Sequence, residues 1–117
     1  MKTYIWTCDK LVNQTMQMVD YFFAKYWPEA DVTVLGYKKP TCDYKFASFD
    51  SMGSDEGTEV VCEQLHTYFS KITSDNFIIG VDDQPLVSRV NQPLIDAIES
   101  TFKLNKNIGR CSITLDN

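Results

Sequence analysis

Apolar side chains recur along the chain with two different periods, and the change from one to the other marks out strands and helices. Thr3 to Thr7 is a short β-branched and aromatic run and predicts a strand. Val12, Met16, Val19, Phe23 and Tyr26 follow at steps of 4, 3, 4 and 3, a single apolar stripe on a helix that Pro28 stops. Asp31 to Gly36, with Val32, Val34 and Leu35, predicts a second short strand. The helix between them is long enough to serve as a crossover between parallel strands.

Lys38 to Asp43 has loop composition, Lys45 to Asp50 predicts a third short strand, and Ser51 to Gly57 reads as a flexible connector. Val61, Leu65, Tyr68 and Ile72 then mark a second helix at steps of 4, 3 and 4. Phe77 to Val81 is the most strand-like run in the chain. Its near-continuous hydrophobicity predicts a central strand buried on both faces, ending abruptly in Asp82-Asp83-Gln84-Pro85. A third helix is expected from about Asn91, with Pro93 in its first turn, through Leu94, Ile95, Ile98 and Phe102. Arg110 to Leu115 predicts a final strand. Strands alternating with helices indicate an α/β fold, a Rossmann-like three-layer sandwich with a mainly parallel sheet and helices on both faces.

A length of 117 residues without an internal repeat or linker fits one domain spanning residues 1–117. With 11 Lys+Arg against 16 Asp+Glu, the formal charge of −5 counts against duplex nucleic acid, which requires a concentrated basic face. No apolar run approaches the ~20 residues of a membrane span, and the apolar stretch within Met1 to Asp9 is too short for a signal peptide. A soluble, cytoplasmic protein is expected. Cys8, Cys42, Cys62 and Cys111 lie 34, 20 and 49 positions apart, with one His in the chain. That spacing matches neither a zinc knuckle nor a redox dithiol, and reduced thiols are favoured over a disulfide.

Ligands of parallel sheets bind beyond the carboxyl ends of the strands, which directs attention to Cys8-Asp9, Asp50 and Asp82-Asp83. Two adjacent carboxylates after a buried strand repel each other, and a hard cation such as Mg²⁺ or Mn²⁺ relieves the repulsion while binding nucleotide phosphates. The competing role for Asp82 is to cap backbone groups in a solvated turn. Asp9 stands where a first strand-to-helix loop meets a ligand, or else forms the turn and caps the helix. Asp50 stands before the Ser/Gly-rich connector, whose amides suit a ribose or phosphate, or else closes an Asx turn. His66 is expected on the surface of the second helix. Tyr21 to Trp27 is an aromatic run, part of which the helical period assigns to the core. No Gly-x-Gly-x-x-Gly, Walker or Gly-x-Ser-x-Gly motif occurs, which counts against dinucleotide, P-loop and serine-hydrolase chemistry.

Four stretches together resemble the N-terminal, nucleotide-sugar-binding half of GT-A-fold glycosyltransferases, in particular the family-two-like group. They are Trp6-Thr7-Cys8-Asp9, Phe22 to Pro28, Val32 to Leu35, and Lys71 to Asp83. The resemblance implies that Asp82 and Asp83 bind a divalent metal, Mn²⁺ or Mg²⁺, and that Asp82 also meets the donor diphosphate. It implies that Cys8, Asp9 and Asp50 meet the base and ribose of a nucleotide-diphosphate sugar, whose glycosyl group passes to an acceptor hydroxyl. The motif reads Asp82-Asp83-Gln84 where that family has Asp-x-Asp. The chain ends at Asn117, short of that family's acceptor-binding half, so a truncated form, a fragment or a reduced relative, is expected. No residue qualifies as catalytic base. The alternative is a non-catalytic α/β interaction or nucleotide-binding module. A phosphoacceptor receiver domain fits less well, because the first strand ends in Cys8-Asp9 rather than an acidic pair and no Lys follows Leu115.

Overall fold

The computed structural model describes residues 1–72, 76–83 and 85–111. In chain order its elements are β1 (Lys2–Trp6), α1 (Val12–Tyr26), β2 (Asp31–Gly36), β3 (Ser48–Ser51), α2 (Val61–Phe69), β4 (Phe77–Val81) and α3 (Gln92–Leu104), with a 3-10 turn at Thr58–Val60 leading into α2. The four strands form one sheet in the order β3-β2-β1-β4, parallel throughout.

Side chains of a strand alternate between the faces of its sheet, so β1 divides its residues. Ile5 joins Met16, Val19 and Phe23 of α1 and Val32 and Val34 of β2 in the main core. Trp27 closes α1 by stacking on Phe23 at 5.9 Å. Tyr4 points to the opposite face, edge-on to Tyr68 at 6.0 Å and Phe69 at 5.2 Å, both from α2. Helices therefore cover both faces, giving the α/β, Rossmann-like three-layer arrangement. α3 begins where expected: the Asn91 side chain accepts from the Leu94 amide at 3.2 Å, and Pro93 sits in the first turn. It joins the α1 side through Ile95, the Trp27–Gln92 side-chain bond and a bond from the Val90 amide to the Tyr26 carbonyl.

Among the described residues Phe77–Val81 is not a central strand. Among the described residues β4 pairs only with β1 and forms an edge, with Phe77, Ile79 and Val81 exposed to 37, 49 and 39%. The central place goes to β1, whose Tyr4 and Ile5 are 3% and 6% exposed. The cause lies in α2, which has nine residues and not one of them buried, and so covers little beyond Tyr4 and Phe77. It ends at Phe69, before Ile72, which falls outside the helix.

The third strand also starts later than its composition suggests. The Asp20 carboxylate on α1 accepts from the amides of Lys45, Phe46 and Ala47 at 2.6–3.1 Å, so these donors are taken before any ladder can use them. The connector from Met52 to Gly57 turns at Gly53 and Gly57, whose φ values of 113° and 90° suit glycine. Of the expected final strand, Arg110 and Cys111 have no regular structure, and 112–115 lie outside the described residues. Among the described residues no helix is long and apolar enough to cross a membrane.

Candidate functional site

The carboxyl ends of β1 and β4 lie side by side, with Trp6 in register with Val81. In the order β3-β2-β1-β4 this junction is where the sheet changes direction of growth, the position at which parallel sheets open a crevice for ligands. Thr7, fully buried one residue past β1, donates its hydroxyl to Asp82 Oδ2 at 3.2 Å. Its oxygen also lies 2.9 Å from the buried Thr15 hydroxyl in the first turns of α1. Since Thr7 has a single hydroxyl proton, Thr15 must donate to Thr7. The result is a polarised chain from the core to a half-buried carboxylate. Asp83 is exposed beside it, in the turn that follows β4.

α1 starts at the same edge, and among the described residues no side chain caps its N-terminus at Leu11. Its first turn carries no acidic residue, so the partial positive charge of the helix end is not offset from within the helix. Cys8 contributes a backbone carbonyl to the turn into α1, accepting from Leu11 at 3.1 Å, and its thiol is half-buried. Asp9 Oδ1 accepts from the Lys38 amide at 2.9 Å, which ties the β1 loop to the end of β2. The Asp9 amide in turn donates to Asp55 Oδ2 at 3.1 Å, and Asp55 Oδ1 accepts from Gly57 at 3.2 Å. The turn-forming role of Asp9 is thus the one its contacts display.

Asp50 stands apart. It lies within β3 in register with Leu35, and its carboxylate accepts from the Ser51 amide at 3.0 Å and from the Tyr68 hydroxyl at 2.7 Å. Three strand spacings of about 4.8 Å separate β3 from β4, so Asp50 and Asp82 are on the order of 14 Å apart along the edge. All the expected acids stand at the carboxyl end of the sheet, but they do not form one cluster. Among the described residues no group of three or more His, Cys, Asp and Glu side chains is placed to hold a metal ion.

Asp82 and Asp83 nevertheless offer hard oxygen donors, and a described residue takes only one of the Asp82 oxygens. That donor set suits a cation held jointly by protein and diphosphate, the usual mode for Mg²⁺. It does not suit a cation held by protein alone. The Trp6 indole N–H, at the last residue of β1, is a buried donor with no partner among the described residues. His66 is exposed on α2, as the helical period implies.

Thr7, Thr15, Asp55 and Tyr68 are the contributors that the chain's pattern does not reveal. Threonine at a strand end or in a first helical turn looks like ordinary core, and its role depends on which strand becomes the neighbour of β1. Comparison of the chain with protein-family models, with curated proteins and with solved structures finds no match in any of the three.

Proposed function

We propose that the carboxyl ends of β1 and β4 bind a nucleotide-diphosphate sugar together with Mg²⁺ or Mn²⁺, as the donor half of a glycosyltransferase. The observation that carries this reading is the Thr7–Asp82 hydrogen bond across the β1/β4 junction. It holds a half-buried carboxylate at the ligand-binding position of a parallel sheet, beside the uncapped N-terminus of α1. Asp82 and Asp83 would hold the cation. A divalent ion bound there supplies charge compensation for a departing diphosphate. The chain's own contributions are positional: Thr15 orients Thr7, Thr7 orients Asp82, and Asp9 fixes the loop entering α1. Cys8 lines the same loop. Asp50, with its carboxylate already engaged, is better suited to shaping the far wall of the edge than to touching the diphosphate. Free thiols at Cys8, Cys42 and Cys62 accord with a cytoplasmic location.

The alternative, a nucleotide-binding or interaction module without catalysis, is favoured by one specific observation. The acids along this edge are engaged with backbone amides and hydroxyls rather than converging on a reaction centre.

Calorimetry tests the reading. Uridine diphosphate, as probe, should bind in the presence of Mn²⁺ and not in the presence of chelator, because diphosphate and carboxylates repel each other without a cation between them. Mn²⁺ alone should bind weakly, since half its ligands come from the nucleotide. Asp82→Asn with Asp83→Asn keeps the shape and removes two charges, and should abolish the metal dependence. Absence of metal-dependent binding up to millimolar ligand, about −4 kcal/mol, in folded protein would eliminate the donor site.

A further inference from the structure

One hydrogen bond at the ligand edge joins two loops that lie far apart in sequence. The Asp9 amide, in the loop between β1 and α1, donates to Asp55 Oδ2 at 3.1 Å. Asp55 is 46 residues further along, in the connector between β3 and α2. A backbone amide just past a strand end is a donor that an anionic ligand of a parallel sheet can use. Here a carboxylate of the chain itself takes it. The loop also has cations beside it. Lys10 follows Asp9 directly, and the Lys38 amide donates to Asp9 Oδ1 at 2.9 Å, which sets Lys38 and its neighbour Lys39 next to the loop. All three lysines are exposed.

We propose that this loop is a phosphate subsite whose donors are the Asp9 amide, Lys10, Lys38 and Lys39, and that Asp55 fills it as an internal anion until a nucleotide diphosphate displaces it. The ligand is that of the donor site proposed above, on which this subsite rests. Asp9 follows Thr7 by two residues, so the subsite lies within about 7 Å of the residue that holds Asp82. A diphosphate can then span from a cation on Asp82 and Asp83 to the lysines. Charge decides the exchange. With Asp55 in place, the three ammonium groups are set against the carboxylates of Asp9 and Asp55; with Asp55 withdrawn, they are set against Asp9 alone. A phosphate brings more charge and more acceptor oxygens than the carboxylate it replaces.

The connector can give way at little cost. Gly53 and Gly57 bracket Asp55 at φ values of 113° and 90°, and no described atom lies within 4 Å of where a Cβ on either would stand. The bond from the Gly57 amide to Asp55 Oδ1 is local and moves with the segment. Its holds on the body of the fold are the Asp9 amide and the Gln64 side chain, which donates to the Ser54 carbonyl at 2.9 Å, both at the surface.

Calorimetry with uridine diphosphate and Mn²⁺, on the full chain and on Asp55→Ala, tests this. The variant should bind about tenfold more tightly, since the ligand no longer displaces a hydrogen bond to a charged group. Lys10→Gln combined with Lys38→Gln should bind about tenfold more weakly than the native chain. If circular dichroism shows Asp55→Ala unfolded, Asp55→Asn, which keeps an acceptor for Gly57, takes its place. In the native chain a glutamate-specific protease should cut after Glu56 faster once Mn²⁺ and uridine diphosphate are added, because the ligand frees the connector. An affinity that the Asp55 substitution leaves unchanged or lowers overturns the proposal while the donor site stands. So does a lysine pair replaced without loss, or a cut at Glu56 that the ligand does not accelerate. Failure of both the native and the Asp55→Ala chain to bind at about 1 mM removes the donor site, and the subsite with it.

Discussion

Tyr68 reaches from α2 to the Asp50 carboxylate on β3, and together with the bonds of Gln64 to Tyr37 and to the Ser54 carbonyl it anchors a helix with no fully buried residue. Burial, and then the hydrogen bond to Asp50, hold its pKa well above the ordinary value near 10. The neutral phenol is therefore favoured in the folded chain, and the contribution to stability is complete below about pH 10. It falls as pH rises further, because the unfolded chain releases its proton first. Tyr68→Phe should cost about 1 kcal/mol at neutral pH. It should also flatten the alkaline loss of stability, as measured by thermal melts from neutral pH to above pH 10. At this scale the candidate site was partly legible. Asp82 and Asp83 stand out because two carboxylates follow an apolar run. Thr7 and Thr15 do not, because a hydroxyl's partner depends on a contact 75 residues away for Asp82 and 8 for Thr15.

The link from β2 to β3 has no helix, and its order comes from α1. Asn13 exchanges hydrogen bonds with Thr41, from Nδ2 to Oγ1 at 3.1 Å and from the Thr41 amide to Oδ1 at 2.8 Å. Asp20 collects the three successive amides of Lys45 to Ala47. Asp20→Ala leaves those donors without their acceptor and should destabilise the fold by about 2 kcal/mol. Hydrogen exchange should show the amides of Phe46 and Ala47 losing protection first, while Asp20→Asn, which keeps one acceptor oxygen, loses less. Elements whose hydrophobic period repeats over several turns were readable from the chain. In the α1 stripe Val12, Met16, Val19 and Phe23 are buried and Tyr26 half-buried, and α3 starts at Asn91 with Pro93 in its first turn, as the sequence announces. The third strand was displaced because Asp20, 25 or more residues away, competes for its first amides. Among the described residues β4 stands at an edge for a related reason: a continuous apolar run measures what a strand could bury, not whether a helix arrives to cover it.

In the whole molecule, strand order decides which residues meet. Placing β4 beside β1 joins Thr7 to Asp82 and moves Asp50 to the far side of the edge. Parallel alternation made the shared edge foreseeable, but the order along it comes from which helices cover which strands. The central claim is that a cation and a diphosphate meet at the β1/β4 junction, and paramagnetic broadening of amide NMR signals tests that location directly. With Mn²⁺ and uridine diphosphate together, signals of Thr7 to Asp9 and of Val81 to Asp83 should broaden first, those of Ser48 to Ser51 should persist, and Mn²⁺ without nucleotide should do little. Broadening centred on β3 and the Asp55 connector, or none at ligand concentrations up to about 1 mM, would contradict the account.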